Sequence, residues 1–450
     1  MRLSRLFGGG KAEEPEKPDD AEPAEAELDN GHPETDDDEG FDGIPEGDPN
    51  VDHDAEWRTR AADVIPGGAS TGSKRPAALY GEASTTGPTH FVRANGCTVV
   101  TPGNNTLIDC TMALGSVAIG YADDAITRAV LNAAALGNVA GLSHTSEVEI
   151  ADRLCDMIPC AEQVRFLKTG AEAVSAAVRI ARTYTGKNKI VCSGYFGWHD
   201  WASDASGVPA GVRGDVMRVA FDDVAALDRA CEQAGRDLAA IVLEPVVERL
   251  PSKEWLEAAR RHCDASGAVL VFDEIKTGFR LRPGGYQEHG AFEPDLATFG
   301  KAMANGYPIA AVVGRAAVME AATKTWISST LASEATSLAA VGAVLDWHDK
   351  TDVCDKLWKI GEEMMELGRR AIEASGASGV TVDGIPPMWM FRFDSPETES
   401  RFLEIAVEHG VLFKRGAYNF SALAHDEEML VELERAASSA FVQLVEESER

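Results

Sequence analysis

The stretch that decides the fold is residues 268–275, which read AVLVFDEI. A nearly continuous apolar run that ends in an acid is typical of a strand buried on both faces of a parallel sheet. Similar runs recur between helical segments: VRFLKTG at 164–170, KIVCSGY at 189–195, LAAIVLEPVV at 238–247, LATFGKAM at 296–303 and IAAVVG at 309–314. We therefore predict an α/β protein with a mostly parallel sheet covered by helices on both faces.

The segments that flank this sheet predict a smaller α+β domain. Residues 91–110 alternate apolar and polar positions around Asn95-Gly96 and Asn104-Asn105, as hairpin strands do. After about Leu345, a long helical stretch leads to two short strand-like runs and a last helix, at 429–447. We expect residues 54–110 and 346–450 to form the small domain and residues 111–345 the large one.

The chain is strongly acidic, with 73 Asp and Glu against 42 Lys and Arg and a net charge of -31. Residues 1–50 hold 17 acidic and four basic side chains and few that could build a core. We therefore predict a disordered tail over residues 1–53. Such a charge repels phosphate backbones and anionic lipids, so we expect no nucleic-acid or membrane partner. Eight cysteines without a CxxC pair, and the absence of any long apolar run, predict a cytoplasmic protein.

Two side chains of the predicted sheet carry chemistry. Asp273 closes a buried run, where an ionised carboxylate needs a cationic partner, although an acid that only caps the next turn would occupy the same place. Lys301 lies between two strand-like runs, where a solvated lysine is less expected. A desolvated lysine loses its proton readily and attacks aldehydes. A buried acid and such a lysine together suit pyridoxal chemistry, which needs an acid at the ring nitrogen and an imine-forming amine.

Two further segments could hold a flat, phosphorylated ligand. Residues 168–173 (KTGAEA) join a strand to a helix, and the free N–H groups of a helix start bind anions, although a capped glycine turn would look the same. Residues 195–201 (YFGWHDW) bring four aromatic rings to the end of the next strand. One ring could stack on a heterocycle, or the four could form a plug between domains. His199 and Asp200 lack further ligands at a suitable spacing, so we predict no metal site.

Taken together, the chain resembles a class III, fold-type I aminotransferase dependent on pyridoxal phosphate (PLP), nearest to the glutamate-1-semialdehyde aminomutase branch. The resemblance covers roughly residues 56–450. It rests on PGG at 66–68, TGAEA at 169–173, YFGWHD at 195–200, LEPV at 243–246, FDEIKTGFR at 272–280, FGKAMANGYP at 299–308 and STLASEATSLAA at 329–340.

The resemblance implies a role for each matched residue. Lys301 would form the internal aldimine and later move the proton between substrate and cofactor, and Asp273 would keep the pyridine nitrogen protonated. Thr169, Gly170 and Ala171 match the phosphate-binding turn, and Ile275 and Tyr195 match the residues on the two ring faces. Glu244 matches a glutamate that lines the site, and Thr330 matches a threonine that reaches the phosphate of the neighbouring subunit. The expected assembly is a homodimer.

Several pocket positions depart from the aminomutase pattern. Ala171 replaces a hydroxyl residue, residues 113–115 read ALG where the aminomutases carry SWG, and their pocket glutamate falls on Ala417. Residues 332–335 read ASEA where they carry SGNP. The residues matched to catalysis are the same as in the aminomutases, whereas the pocket residues differ. This predicts an aminotransferase that moves an amino group from a donor to a carbonyl acceptor.

Three alternatives stay open from the sequence. Glutamate-1-semialdehyde 2,1-aminomutase is the nearest. A PLP-fold scaffold acting through its acidic tail is the alternative of another class, and a nicotinamide-binding enzyme is disfavoured because no G-x-G-x-x-G follows a strand. Anion recognition could come from the basic side chains near the predicted site, although for any one of them the sequence favours a solvated surface charge: Lys74, Arg75, Lys414 and Arg415.

Overall fold

A computed structural model describes residues 51–84 and 86–449 of the chain, so the predicted tail lies almost wholly outside the described residues. The strands, in chain order, are β1 (Arg93–Asn95), β2 (Thr98–Val100), β3 (Thr106–Asp109), β4 (Gln163–Leu167), β5 (Lys189–Ser193), β6 (Val216–Arg218), β7 (Leu238–Leu243), β8 (Val269–Asp273), β9 (Leu296–Phe299), β10 (Ala310–Gly314), β11 (Val380–Ile385), β12 (Met388–Phe393), β13 (Val411–Leu412) and β14 (Asn419–Phe420).

The α-helices among the described residues are α1 (His53–Val64), α2 (Pro76–Tyr80), α3 (Met112–Gly115), α4 (Asp124–Leu136), α5 (Ser146–Met157), α6 (Gly170–Thr185), α7 (Ala210–Arg213), α8 (Val224–Ala234), α9 (Lys253–Ser266), α10 (Tyr286–His289), α11 (Ala316–Met319), α12 (Ala335–Lys350), α13 (Val353–Ser375), α14 (Pro396–Glu408) and α15 (Glu427–Ser448). None of these helices combines the length and the apolar character that a membrane span requires.

The central sheet has seven strands in the order β4-β10-β9-β8-β7-β5-β6. The pairs from β9 through β6 are parallel, and β10 is antiparallel to both of its neighbours. The prediction of an α/β protein with a mostly parallel sheet is thus confirmed. Strand β6 was not among the predicted runs, because its three residues are only half-buried or exposed and carry little apolar signal.

Helices cover both faces of this sheet, and every residue of β7, β8, β9 and β10 is buried. Alternate residues of β8 serve the two cores. Leu270 and Phe272 pack with residues of α8, α9 and α12, whereas Val269 and Val271 pack with residues of α6. Two-sided burial is why these strands read as continuous apolar runs rather than as alternating ones.

Two smaller sheets lie outside the central one. Strands β1, β2 and β3 form the predicted hairpins, and β13 from the C-terminal part of the chain pairs in parallel with β3. Strands β11, β12 and β14 form the other sheet. The N- and C-terminal segments therefore share a sheet, as the predicted small domain requires. The exact domain boundaries stay predictions.

Candidate active site

A cavity of about 880 Å³ opens at the carboxyl ends of the central strands. Ser193 ends β5, Glu244 directly follows β7, and Asp273 ends β8. Lys301 follows β9 by two residues. All four side chains line the cavity, which is the place where open α/β sheets bind ligands. The acid and the amine singled out in the sequence therefore meet in one cavity.

The Asp273 carboxylate is 5% exposed and is held through one of its oxygens. Oδ1 accepts hydrogen bonds from the backbone N–H of Ile275, at 3.0 Å, and from the Thr298 hydroxyl, at 3.3 Å. Neither donor reaches Oδ2, which is the oxygen available to a ligand in the cavity. Burial, and then the Glu244 carboxylate, raise the pKa of Asp273 to about 7, against the N–H of Ile275 and nearby lysines.

The Lys301 amine is largely buried, and its backbone has a φ of 48°, a conformation that is costly for a residue with a side chain. Backbone strain of this kind concentrates at functional sites, where the surrounding structure enforces it. Burial, and then the positive charge of Lys276, lower the pKa of Lys301 to about 8. The amine thus loses its proton, and becomes nucleophilic, much more readily near neutral pH than an ordinary lysine does.

The segment 168–173 begins α6 at the edge of the cavity. Thr169 caps the helix by accepting a hydrogen bond from the Glu172 N–H, and Glu172 reaches back to the N–H of Thr169. A Cβ at Gly170 would lie 2.6 Å from the end of the Ile275 side chain, so a larger residue would displace that side chain. Thr169, Gly170 and Ala171 all line the cavity, with the N-terminus of a 16-residue helix behind them.

The four aromatic side chains of residues 195–201 divide into two pairs. Phe196 and Trp201 are buried and stack on each other, with ring centroids 5.9 Å apart. Tyr195 and Trp198 line the cavity and are 76% and 75% exposed. Phe196 and Trp201 therefore belong to the core, whereas stacking of a flat ligand on Tyr195 or Trp198 stays a prediction. His199 bonds with the Ser175 hydroxyl, at 2.7 Å.

An ion pair in the cavity wall was not predicted. Lys276 Nζ lies 2.5 Å from Glu244 Oε1 and 4.2 Å from the centre of the Tyr418 ring. The other oxygen of Glu244 accepts a hydrogen bond from the Tyr195 N–H, at 3.2 Å. The glutamate thus connects the ends of β7 and β5 with Lys276. The sequence pattern did not single out Lys276 as a site residue, because most lysines are solvated.

One further cavity residue was missed, and two pocket positions named from the sequence have an unexpected backbone conformation. Ser193 is 2% exposed, and its hydroxyl has no hydrogen-bond partner among the described residues. Ala113 and Leu114 line the cavity within α3, where Met112 through Gly115 all have positive φ, from 41° to 78°. Propensity cannot predict such a run, because left-handed backbone is unfavourable for these residues and only tertiary contacts maintain it.

Other sequence candidates lie in different surroundings. Thr330 is exposed and does not line the cavity. Lys74 and Lys414 line it, whereas Arg415 pairs with Glu399 outside it, at 3.8 Å. Ala417, one of the positions that depart from the aminomutase pattern, also lines the cavity.

These residues fit pyridoxal phosphate. The Lys301 amine, whose pKa is lowered, suits the aldehyde of the cofactor. The Asp273 carboxylate suits the ring nitrogen, because both described donors bind Oδ1 and leave Oδ2 available. The N-terminus of α6 suits its phosphate, and the unpartnered Ser193 hydroxyl offers one more polar contact. Fold and site together define a fold-type I PLP-dependent transferase.

The chain belongs to the class-III aminotransferase family: the family model described as Aminotransferase class-III matches residues 80–203 and 204–425. It is accordingly a PLP-dependent aminotransferase, and pyridoxal 5'-phosphate is its cofactor. The resemblance stated from the sequence motifs is confirmed.

Relatives with differently named activities match most of the chain. The 3-aminobutyryl-CoA aminotransferase of Cloacimonas acidaminovorans is 31% identical over 385 residues, which cover 82% of this chain and 92% of the relative. The 2'-deamino-2'-hydroxyneamine transaminase of Streptomyces kanamyceticus is 34% identical over 361 residues, covering 78% and 90%. The glutamate-1-semialdehyde 2,1-aminomutase of Methanopyrus kandleri is 30% identical over 426 residues, covering 86% and 96%.

Solved structures share the fold. The FumI protein of Sphingopyxis sp. MTA144, in its PLP internal aldimine form, superposes with a TM-score of 0.83 and 26% identity, over 88% of this chain and 97% of that one. The predicted fold type is therefore confirmed.

Proposed function

We propose that this aminotransferase uses Lys301 as its catalytic amine and Asp273 as the acid at the cofactor ring, and that it releases a carbonyl product. The observation that carries the proposal is the position of both side chains in one cavity at the carboxyl ends of the central strands. When bound, pyridoxal phosphate supplies an aldehyde carbon and an electron-withdrawing ring. The protein supplies the amine, the acid and the orientation.

Each proposed role is supported by the position of the side chain at the cavity. Lys301 would hold the cofactor through its amine, and the same amine, once free, would take up a proton at the substrate carbon and return it. A pKa near 8 suits this exchange at neutral pH. The free Oδ2 of Asp273 holds a proton at the ring nitrogen. Ile275 and Tyr195 hold the two ring faces, and the start of α6 holds the phosphate.

The test is cofactor attachment in Lys301→Ala. We expect the purified wild-type protein to bind pyridoxal phosphate with a visible absorption band, and borohydride to fix a pyridoxyl group on the peptide that contains Lys301. Lys301→Ala should lose both, whereas Lys253→Ala, at an exposed lysine of α9, should keep both. A pyridoxyl group fixed on a different lysine would contradict the proposal.

For the substrate, we propose an amino donor or acceptor that carries an anionic group bound by Lys414. This side chain is half-buried in the cavity wall, and its amine donates to two backbone carbonyls, of Ala78 and Arg415, at 3.2 and 3.1 Å. Burial lowers the pKa of Lys414, so a carboxylate or phosphate would satisfy a partly desolvated ammonium group. Lys74, exposed at the same cavity, offers a second positive charge.

The second candidate function is glutamate-1-semialdehyde 2,1-aminomutase, which several relatives carry by name. Against it stand the changed pocket positions Ala113, Leu114 and Ala417, all of which line the cavity. A panel of amines and carbonyl compounds, read by loss of the cofactor's visible band, separates the two. Isomerisation of glutamate-1-semialdehyde without an added donor would favour the aminomutase. Conversion of the cofactor with release of a carbonyl product supports the transaminase.

We also propose a homodimer in which Thr330 reaches the phosphate of the neighbouring subunit. Support comes from exposed apolar side chains close to Thr330 in sequence, Trp326 at 82% and Leu331 at 48%, and from Leu142 at 87%. Large exposed apolar side chains of this kind mark interaction surfaces.

A cytoplasmic location is proposed on the eight free cysteines, which suit a reducing compartment.

A further inference from the structure

The cavity contains a second buried amine that the proposed chemistry does not use. Lys276 is 9% exposed and lines the same cavity as Lys301. Most lysines are solvated, and an ammonium group is placed in a protein interior only where specific partners offset its lost hydration. A function that requires its charge at this position would explain why the sequence keeps it there.

Two contacts fix this amine in the charged form. The Glu244 carboxylate lies 2.5 Å from Nζ, and the Tyr418 ring, whose face attracts cations, lies 4.2 Å away. Burial alone would lower the pKa of Lys276, but Glu244 and then Tyr418 raise it above its ordinary value. Tyr418 is itself anchored, because its hydroxyl donates to the carbonyl of Val247. Lys276 is therefore a permanent and immobile positive charge in the cavity wall.

We propose that Lys276 is a positioning residue that acts through Lys301: its fixed positive charge favours the unprotonated form of the Lys301 amine, the form that attacks an aldehyde. This inference rests on the proposed function of Lys301. Like charges disfavour each other most where water is excluded, and the two amines line one cavity, with Lys276 buried and Lys301 half-buried. Glu244 is the counter-ion that keeps Lys276, rather than Lys301, as the protonated member of the pair.

The other charged groups that face Lys301 do not make Lys276 redundant. Asp273 and Glu244 favour its protonated form, and Arg280 disfavours it. Arg280 is fully buried and donates to backbone carbonyls, including those of Ser421, at 2.7 Å, and Val117, at 3.1 Å. Of the two cations, Lys276 has the larger influence on Lys301. Without Lys276, only burial and Arg280 would favour the unprotonated Lys301 amine, against the carboxylates of Asp273 and Glu244.

The experiment follows uptake of pyridoxal phosphate by the full-length protein across pH 6 to 10, by the visible absorption band. Only unprotonated Lys301 reacts, so the rate midpoint reports its pKa, and titration of the cofactor itself is common to all variants. Lys276→Met should move the midpoint upward by about one pH unit, which makes uptake at pH 7 about tenfold slower. Lys276→Arg, which keeps the charge, should leave the midpoint near that of the wild type.

Two further variants complete the design. Lys276→Gln is neutral but can still donate to Glu244, so it gives the decisive midpoint if the methionine variant does not fold. Lys253→Met removes an exposed lysine charge and should move nothing. An unmoved midpoint in the neutral variants, or an equal shift in Lys276→Arg, overturns the inference. Absence of uptake by the wild type would instead overturn the proposed function, so the two failures are distinguishable.

Discussion

The substitution Asp273→Asn should stabilise the cofactor-free protein at neutral pH while it removes activity. Asparagine fits the site, because both protein donors reach Oδ1, which an amide oxygen replaces, and the amide NH₂ takes the position of Oδ2. The gain comes from the buried charge. A rise of the pKa from 3.8 to about 7 corresponds to about 4 kcal/mol against the ionised form in the folded state.

The sign of the pH dependence follows from the raised pKa. The folded state holds a proton on Asp273 more tightly than the unfolded chain does, so the wild type loses stability as the pH rises from about 4 through about 7. Asparagine does not titrate. The stability of Asp273→Asn relative to the wild type should therefore increase over this range by up to about 4 kcal/mol and then level off. An amide cannot hold a proton at the ring nitrogen as a carboxylate does, so activity should fall.

The assay is urea unfolding of both cofactor-free proteins at several pH values between 4 and 8. The matched control is Asp63→Asn, which makes the same substitution at an exposed aspartate of α1 and should not reproduce the stabilisation. A stability difference between Asp273→Asn and the wild type that stays constant from pH 4 to pH 8 would refute the reasoning, because it would mean that the carboxylate is as well solvated in the folded protein as in the unfolded one.

Two shorter predictions test the rest of the cavity wall. In Gly197→Ala, where φ is 85°, the new Cβ would lie 2.4 Å from the Ala171 Cβ, so the turn at residues 169–171, proposed to hold the phosphate, must shift. We expect roughly tenfold weaker cofactor binding in a titration, and no change for Gly211→Ala, whose added Cβ meets nothing within 4 Å. Lys414→Met should raise KM about tenfold for an anionic amine in steady-state kinetics and leave KM for a neutral amine unchanged. An equal rise for both amines would contradict anion recognition.

Much of the fold could be predicted because local pattern and tertiary burial agree. Strands β7 and β8 read as uninterrupted apolar runs because helices cover both faces of the sheet. The antiparallel direction of β10 could not be predicted, since an apolar run carries no strand direction. Strand β13 lies in the second strand-like run predicted after Leu345, whereas β14 has two residues and almost no local signal, because it forms by pairing with β12.

The site could be predicted where chemistry restricts the residue type. An acid at the end of β8 and a lysine after β9 suit few roles together, and both line the cavity. The Lys276–Glu244 pair could not be predicted, because each residue alone is most often a solvated charge and only the folded chain brings them to 2.5 Å. The left-handed turn at residues 112–115 is maintained by contacts such as those of the Arg280 guanidinium with the carbonyls of Gly115 and Val117.

The charged groups around the cavity compensate one another. Two carboxylates and two amines, those of Asp273, Glu244, Lys276 and Lys301, share one desolvated space in which none would be stable alone. Arg280 adds a positive charge whose described partners are backbone carbonyls, so the five groups carry one excess positive charge when all are ionised. An anionic ligand balances that excess, and pyridoxal phosphate is an anion. Within this set Lys276 and Glu244 are direct partners, so removing either of them leaves the other uncompensated.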